Sequence, residues 1–314
     1  MKLITELCQN HNGKEKILFS MLDEAVEAGA THVKLQHIFS ENITYRKIFE
    51  NGGLDKVSRI NCFKRPYEDE YKRLKKLEIK HSTVKKFIKE CEAYKVTPLT
   101  TCFAHQHAHE LHDIGFDEIK VASYDCASFS MLETLKNLFK KIYISTGATF
   151  DSEVEKASKI LGKKATFFHC VTRYPTPLEH LNLNRIEYLR KFSKRVGYSD
   201  HSSTMEIPNL ASYAAIYNGA SLIERHFTIL PKDQTKDGKV SINPSDIKDL
   251  FKFYKLSKED QLKILKRLGY SSKFLGKRTF EMSNEEYSNR LYYRGRFASV
   301  ITENGIKRHV YNWE

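Results

Sequence analysis

Eight short β-rich runs recur along this chain, and stretches with the periodicity of amphipathic helices separate them. Strands that alternate with helices build a parallel sheet from βα units, and eight such units close most naturally into a barrel. The sequence therefore predicts an α/β fold, a (β/α)₈ TIM barrel. The predicted strands are residues 3–8, 31–36, 96–102, 118–123, 141–145, 166–169, 196–199 and 221–225.

The connecting stretches carry signals for the start and end of helices. Residues 14–28 place their apolar side chains on one helical face, and Gly29 supplies a stop signal. Ser82 and Asp151 are favourable residues at the N-termini of two further helices. Residues 244–268 are predicted to be the last helical region of the barrel.

A chain of 314 residues can bury a large core as one barrel without splitting into further domains. We expect residues 1–270 to form the barrel and residues 271–314 to form a short C-terminal extension. No apolar run approaches the roughly 20 residues of a membrane span, and the N-terminus does not resemble a signal peptide. These features predict a soluble cytoplasmic protein, in which six scattered cysteines without a C-x-x-C pair are reduced and partly buried.

The net charge of +13 raises the question of nucleic-acid binding. The lysines, however, are spread along helix faces and interleaved with acids, without an arginine-rich tail or a recognisable DNA-binding motif. A basic surface can equally concentrate a phosphorylated or carboxylated small substrate. We therefore predict neither a nucleic-acid partner nor a membrane partner.

The C-terminal ends of the predicted strands carry polar residues, and active sites of such barrels lie at these ends. Lysine neutralises anionic charge and hydroxyls supply directed hydrogen bonds, so together they favour an anion with phosphate and carboxylate groups. Glu6, beside the lysines, is either a general base or a charge-balancing group. The strand-end residues are Glu6, Lys34, Gln36, Thr101, Lys120, Ser123, Ser145, Thr172, Ser199, His201 and His226.

Two neighbouring strands end in polar triplets, SDH ending at His201 and ERH ending at His226. Two imidazoles at adjacent strand ends can hold one divalent metal such as Mn, Fe, Co or Zn, with positions left open for water or substrate. Each histidine could instead only form a hydrogen bond with the backbone at its strand end. Asp237, which follows the last strand, is placed to orient a group bound to such a metal.

Two segments fall outside the βα pattern. The connection from residue 38 to 81 is long for a compact domain, which is typical of a lid, another functional loop or disorder. Residues 277–314 show weak periodicity and several arginines. The four histidines of residues 105–112 could place at most three members on one helical face, and we interpret them as surface histidines rather than a metal site.

Several motifs occur in consistent order: ELCQNHNG at residues 6–13, VKLQ at 33–36, ISTG at 144–147, HC at 169–170, YPTP at 174–177, GYSDH at 197–201 and ERHFT at 224–228. With these motifs the chain resembles the sialic acid synthase family over residues 1–244. Enzymes of this family condense phosphoenolpyruvate with N-acetylmannosamine, or a related N-acyl amino-sugar aldehyde, to make sialic, legionaminic, pseudaminic and other nonulosonic acids. The resemblance implies a (β/α)₈ barrel as the synthase domain, in agreement with the strand count, and a homodimer.

The resemblance also implies roles for individual residues. His201 and His226 match the metal ligands, for which we expect Mn²⁺, with Mg²⁺ or Co²⁺ as alternatives, and the metal polarises the open-chain aldehyde. Glu6, Lys34 and Gln36 match residues at the reacting centre, where C3 of phosphoenolpyruvate attacks and phosphate leaves with C–O cleavage. The implied phosphoenolpyruvate contacts are Thr101, Lys120, Ser123, Ser145, Thr172 and Ser199, and the implied sugar contacts are Asp125, Tyr174 and Asp237.

Some of these positions depart from the family pattern. Asp125 stands where many members have a glutamate that contacts the sugar, and the neighbouring Tyr124 is more like the pseudaminic acid branch. Thr172 stands where an asparagine lies near the phosphate. The first two departures lie at or beside the implied sugar contacts, and the third lies near the implied phosphate contacts.

The C-terminal end also departs from the family pattern. Family members usually continue into an antifreeze-like domain, which places an arginine over the active site of the partner subunit. Here residues 289–299 resemble the linker into that domain, and we expect the domain itself to be missing. Arg294, Arg296, Arg308 or a separate antifreeze-like lid protein would then take the place of that arginine.

The leading hypothesis is a phosphoenolpyruvate-dependent nonulosonic acid synthase. A catalytically silent barrel that binds a sugar or a partner is one alternative, and it predicts that the two histidines are dispensable for ligand binding. Another aldolase or lyase on the same barrel is a second alternative, and it predicts a product formed without phosphate release.

Overall fold

The computed structural model describes residues 1–54, 61–279 and 281–314 of the chain. Its strands are β1 (Lys2–Cys8), β2 (His32–Leu35), β3 (Gly53–Leu54), β4 (Asn61–Cys62), β5 (Thr97–Thr100), β6 (Glu118–Val121), β7 (Lys141–Ser145), β8 (Ala165–His169), β9 (Val196–Asp200), β10 (Leu222–His226), β11 (Ala298–Glu303) and β12 (Ile306–Tyr311). Its α-helices are α1 (Glu15–Glu27), α2 (Ile48–Asn51), α3 (Tyr67–Lys75), α4 (His81–Ala93), α5 (Ala108–Asp113), α6 (Phe129–Leu138), α7 (Asp151–Leu161), α8 (Asn184–Leu189), α9 (Leu210–Tyr217), α10 (Pro244–Lys255), α11 (Lys258–Arg267) and α12 (Asn284–Tyr293).

The eight predicted strands form the predicted (β/α)₈ barrel. β1, β2 and β5 to β10 pair in parallel in chain order, and β10 returns to pair with β1. An isolated parallel bridge between Thr101 and Lys120 joins β5 to β6 and nearly closes the sheet. The observed strand bounds lie within two residues of the predicted ones, because β-rich runs flanked by helical periodicity are a strong signal.

The predicted helical region over residues 244–268 is helical, and it is divided into two helices, α10 and α11. α10 ends at Lys255, and the Ser257 side chain accepts a hydrogen bond from the backbone N–H of Asp260 as the N-cap of α11. A capping serine satisfies an otherwise unpaired backbone donor and therefore favours the start of a new helix at this point.

Side chains fill the barrel interior in layers, because residues that alternate along each strand point inward. One layer contains a cluster of buried hydrophobic side chains. Gly197 faces this layer, and a Cβ atom there would overlap the Phe168 ring. We name these residues the apolar layer: Ile4, Leu99, Tyr143, Phe168 and Leu222. Two residues further along the same or adjacent strands lies the charged layer: Glu6, Lys34, Lys120, Ser145, Ser199 and Glu224.

The segments outside the βα pattern pack over the C-terminal ends of the strands. The 38–81 connection contains α2, α3 and the β3–β4 hairpin, while its residues 55–60 lie outside the described part of the chain. The C-terminal segment forms α12 and the antiparallel β11–β12 hairpin. Ile43 pairs with Phe297 through an isolated bridge, and the Thr44 N–H donates to the carbonyl of Arg296, so the two segments are joined to each other.

None of the helices in the described ranges is long and apolar enough to cross a membrane. The six cysteines are buried and form no disulfide with one another in the described part of the chain. The sequence predicted reduced and partly buried side chains.

Candidate functional site

A cavity of about 440 Å³ opens at the C-terminal ends of the barrel strands. The structure brings all the predicted site residues except Thr172 together around it. The predicted residues that line the cavity are Glu6, Lys34, Gln36, Thr101, Lys120, Ser123, Asp125, Ser145, Tyr174, Ser199, His201, His226 and Asp237. Their convergence follows from the barrel geometry, since the carboxyl ends of the parallel strands meet at one rim.

The charged layer forms the floor of the cavity. The Lys34 ammonium pairs with Glu6 and lies 2.8 Å from Glu224 Oε1. The Lys120 ammonium lies 3.3 Å from Glu224 Oε2 and donates to Ser145 Oγ at 2.5 Å. All these side chains are buried. Glu224 forms ion pairs with both lysines and therefore connects them. Sequence reasoning recognised the ERH triplet but gave Glu224 no role.

The two lysines differ in how fully they are neutralised. Burial lowers the pKa of the Lys34 ammonium, but Glu224 and Glu6 outweigh burial and raise it. Burial lowers the pKa of Lys120, and its carboxylate partner Glu224 does not restore it. Burial likewise opposes ionisation of Glu224, yet Lys120 and Lys34 hold the pKa of its carboxyl below the usual range. Lys120 shares its one carboxylate with Lys34 and therefore retains capacity for a further anion.

Serine and threonine hydroxyls surround this floor. Ser199 donates to Glu224, and Ser145 Oγ lies 3.4 Å from Ser199 Oγ. Ser123 Oγ accepts a hydrogen bond from the Gly147 backbone N–H at 3.2 Å. Thr101 Oγ1 lies 3.4 Å from the Lys34 ammonium. These groups add directed hydrogen-bonding capacity to the lysine charge.

Thr172 lies beside the cavity rather than in its lining. A Cβ atom on Gly147 would come within 2.7 Å of Thr172 Cγ2, so these two loops pack closely. The Thr172 carbonyl accepts a hydrogen bond from Asn289 of α12. Contact between Thr172 and a substrate therefore stays a prediction.

The two predicted metal ligands face the cavity from neighbouring strand ends. Their ring centroids are 5.6 Å apart. His201 Nδ1 donates to the Val171 carbonyl at 2.9 Å, which leaves Nε2 as the acceptor, 3.3 Å from the Tyr174 hydroxyl. Burial, with a smaller effect of His226, lowers the pKa of His201 to about 4, so its imidazole is neutral at pH 7. His226 Nδ1 is buried without a hydrogen-bond partner in the described part of the chain.

Beside His226 lie two further side chains of types that can ligate a metal, Cys8 and Asp237. Ligand atoms of Cys8, His226 and Asp237 all lie within 4.8 Å of one another, and they form the only such group found among the described residues. The Cys8 thiol donates to Asp237 Oδ2 at 2.8 Å, and Gln36 Nε2 lies 3.2 Å from its sulfur. Burial, followed by Asp237, raises the pKa of the Cys8 thiol. Sequence reasoning gave Cys8 no role, although it has the same inward parity on β1 as Glu6.

Part of the cavity lining, which we name the remote wall, comes mainly from the 38–81 connection and the C-terminal segment, and sequence reasoning gave a role only to Arg296 among its residues. Arg73 pairs with Glu70 at 2.8 Å, and Arg296 pairs with the same carboxylate. Burial opposes ionisation of Glu70, but Arg73 and Arg296 lower the pKa of its carboxyl to about 2. Arg65 donates to the Tyr293 hydroxyl at 2.9 Å. The residues of this wall in the cavity lining are Arg65, Arg73, Lys236, Glu285, Asn289, Tyr293, Arg296 and Phe297.

The three candidate arginines of the C-terminal segment have different positions. Arg296 lines the cavity. Arg294 lies 3.4 Å from Glu153, and Arg308 forms an exposed pair with Glu303. Arg296 is therefore the one of these three that reaches the site.

Asp125 lines the cavity and has no cationic hydrogen-bond partner among the described residues. Its Oδ1 accepts hydrogen bonds from Asn312 and Ser128, both at 2.9 Å. Burial outweighs these hydrogen bonds and raises the pKa of Asp125 to about 6. The carboxyl is thus easier to protonate than an exposed aspartate.

The histidines of residues 105–112 serve local structure. His107 pairs with Glu110 at 2.6 Å and contacts Asn42 at 2.8 Å, while His105 contacts Thr134 at 2.8 Å. These contacts give His105 and His107 local partners, and the interpretation of the four histidines as surface residues stays a prediction.

Comparison with known proteins gives consistent relatives. The model of the NeuB family matches residues 21–261. An N,N'-diacetyllegionaminic acid synthase of Campylobacter jejuni is 29% identical over 255 residues, which cover 79% of this chain and 73% of that protein.

Solved structures agree with this match. A spore coat polysaccharide biosynthesis protein of Bacillus subtilis superimposes with a TM-score of 0.70 at 25% identity, covering 95% of this chain and 78% of the other. An N-acetylneuraminic acid synthetase of Leptospira borgpetersenii in complex with citrate superimposes with a TM-score of 0.67 at 27% identity, covering 92% of this chain and 90% of the other.

Proposed function

The chain belongs to the NeuB family, and from that premise we propose that it condenses phosphoenolpyruvate with an N-acyl amino-sugar aldehyde and releases phosphate. Relatives of this chain are nonulosonic acid synthases, for legionaminic acid and for N-acetylneuraminate 9-phosphate among others. The observation that carries the proposal is the charged layer, which places two lysines and several hydroxyls on the floor of a cavity rimmed by two histidines.

Phosphoenolpyruvate is held by the floor of the cavity in this proposal. Lys120 has only a shared carboxylate partner and supplies charge to the phosphate or carboxylate group. Ser123, Ser145 and Thr101 supply hydrogen bonds to its oxygens. These donors are fixed before substrate arrives, so they stabilise developing negative charge without reorganisation.

Glu6 acts as a charge-balancing group in this proposal. One of its oxygens accepts a hydrogen bond from the Cys8 backbone N–H at 2.6 Å, and the other pairs with Lys34. Both carboxylate oxygens are thus already engaged. We infer that Glu6 fixes the Lys34 ammonium toward the reacting atoms instead of abstracting a proton.

The aldehyde enters on the side of the histidines and the remote wall. Tyr174 packs on His201 with ring centroids 4.2 Å apart, and Asp125 and Arg296 face the same space. Two observations fit a metal at this place. The hydrogen bond of His201 Nδ1 to the Val171 carbonyl leaves the lone pair on Nε2, and His226 Nδ1 is a buried nitrogen with no hydrogen-bond partner among the described residues. A divalent metal held by His201 and His226 would, when bound, polarise the aldehyde oxygen.

The proposed reaction forms one carbon–carbon bond and releases phosphate. The C2–C3 electron pair of phosphoenolpyruvate forms a bond to the aldehyde carbon, and the aldehyde oxygen takes up a proton. Water then adds to C2 and loses a proton, which leaves a hydroxyl and the phosphate ester on C2. The C2 hydroxyl loses its proton and forms the C2 carbonyl as the C–O bond to phosphate breaks, and the bridging oxygen leaves as part of phosphate. The chain's residues bind and orient both substrates, and the covered cavity limits competing hydrolysis.

The test is phosphate release by purified protein with Mn²⁺, phosphoenolpyruvate and a panel of 2-acetamido sugars. We expect release that depends on the sugar, and loss of that release in Lys120→Met because the anion loses its charged donor. Lys140→Met, an exposed lysine on the surface, is the matched control and should behave as wild type. Folded, metal-loaded protein that releases no phosphate with any sugar would rule the proposal out.

A further inference from the structure

Cys8 ends β1 in a backbone conformation that is unusual for a residue with a side chain. Its φ is +51°, in the left-handed region that costs non-glycine residues about 1–2 kcal/mol. Such outliers persist where surrounding structure holds them and are frequent at functional sites. The conformation presents the Cys8 sulfur to the cavity, next to Gln36 and Asp237.

The surroundings of the sulfur are those of a metal ligand. Asp237 Oδ2 lies 2.8 Å from Cys8 Sγ and 3.9 Å from His226 Nδ1. Ligand atoms of a tetrahedral zinc site lie roughly 3.3–3.8 Å apart, as follows from its bond lengths. The thiol–carboxylate hydrogen bond is shorter than that spacing, and replacement of its proton by a cation would lengthen it. His226 Nδ1, which has no hydrogen-bond partner in the described residues, is the third atom of the group.

We propose that Cys8 and Asp237 join His226 as protein ligands of the divalent metal at this site. The inference rests on the proposed function for the presence of a metal, and it adds the ligand set and the metal class. A thiolate ligand favours Zn²⁺, Co²⁺ or Fe²⁺, whereas Mn²⁺ and Mg²⁺ favour oxygen ligands. The site therefore selects a metal that accepts sulfur, in contrast to the Mn²⁺ expected from the resemblance.

A competing account gives the thiol only a structural part. In that account Cys8 donates a hydrogen bond to Asp237, and a metal is held by the histidines alone. The two accounts differ in one observable property, which is a bond between sulfur and the metal.

Cobalt absorption tests for that bond directly. Metal-free full-length protein is titrated with Co²⁺ while the near-ultraviolet spectrum is recorded, where a sulfur-to-cobalt charge-transfer band appears only with a coordinated thiolate. We expect the band in wild type at one Co²⁺ per chain and its loss in Cys8→Ser. Cys91→Ala, which removes a buried thiol of α4 outside the cavity, is the control and should keep the band.

Cys8→Gly distinguishes loss of the sulfur ligand from loss of folding. It removes the sulfur and also relieves the left-handed strain, so this variant should fold and still lack the band. We expect both Cys8 variants to bind Zn²⁺ more than about tenfold more weakly than wild type, since even indirect metal contacts contribute at least that much. Stoichiometric Co²⁺ binding without the band in wild type, or no Co²⁺ binding, would overturn the ligand assignment.

The cobalt titration and the phosphate-release assay can each fail independently of the other. A band together with no phosphate release from any sugar would refute the synthase proposal and keep Cys8 as a ligand. Phosphate release that depends on a sugar, from protein whose bound cobalt shows no band, would keep the synthase and refute the ligand.

Discussion

The apolar layer and the charged layer occupy the same barrel interior, two residues apart along the same or adjacent strands, yet different forces hold them together. The apolar layer is stabilised by close packing, as of Phe168 against Tyr143 with ring centroids 5.9 Å apart. The charged layer has ions buried from water, and it is stable only because each ion has a partner. Substitutions in the two layers therefore test packing and ion pairing separately, and the charged layer is the one to which we assign anion binding in the proposed function.

Removal of one ion from the charged layer should lower the free energy of unfolding more than any of the other substitutions proposed below. Lys34→Met leaves the Glu6 and Glu224 carboxylates buried with Lys120 as the remaining cation, and we expect a loss of about 3–5 kcal/mol in the free energy of unfolding. Chemical denaturation measures it. Lys140→Met breaks an exposed pair with Asp117 and should cost less than about 1 kcal/mol. Equal losses in the two variants would show that pairing does not stabilise the layer.

Asp125 extends the comparison because it is a buried carboxyl that accepts hydrogen bonds from the neutral side chains of Asn312 and Ser128 instead of pairing with a lysine. Its pKa is raised to about 6 from 3.8, so the folded state binds the proton more tightly than the unfolded state does. The stability that this contributes is complete below pH 4 and is lost as the pH rises through about 6. Asp125→Asn cannot ionise, and we expect it to gain about 2 kcal/mol relative to wild type between pH 4 and pH 7.

Urea denaturation of Asp125→Asn and wild type at pH 4 and pH 7 measures this gain. Asp117→Asn, at an exposed aspartate, should show no comparable pH-dependent difference. A stability difference between Asp125→Asn and wild type that stays the same at both pH values would contradict the raised pKa.

Gly197→Ala tests the apolar layer by overpacking. The added methyl group would overlap the Phe168 ring, and we expect a loss of about 1–3 kcal/mol. The double variant with Phe168→Leu should recover part of that loss, because the smaller side chain leaves room. Thermal or chemical unfolding that shows no coupling between the two substitutions would refute the packing explanation.

Ser145→Ala should have the smallest effect on stability and a clear effect on binding. It removes one hydrogen bond with Lys120, which contributes about 1 kcal/mol to folding. We expect phosphoenolpyruvate binding, measured by calorimetry, to weaken by more than the variant's stability loss explains. Unchanged affinity would remove Ser145 from the anion site.

Much of this architecture is predictable from local sequence. The strand bounds and the inward parity of Glu6, Lys34 and Lys120 follow from short-range patterns that the barrel converts into a shared rim. The remote wall is not predictable in this way, because Arg73 and Arg296 meet at Glu70 only after two distant segments fold over the barrel. The weak periodicity of residues 277–314 likewise concealed α12 and a hairpin, whose side chains are ordered by contacts with the barrel.

The role of Cys8 was hidden for a different reason. A single cysteine without a spaced partner gives no metal signal in sequence, and its neighbours Asp237 and His226 are more than two hundred residues away along the chain. The closure of the barrel between β1 and β10 brings them together.

The central claim is a condensation in which phosphate leaves by C–O cleavage. Phosphoenolpyruvate carrying a heavy oxygen isotope in the bridging position, incubated with the enzyme, metal and an accepted sugar, tests it by mass analysis of the released phosphate. The account predicts that the phosphate retains the heavy oxygen and that its amount equals the amount of nonulosonic acid formed. Phosphate without the heavy oxygen, or phosphate formed without a sugar acid product, would contradict it.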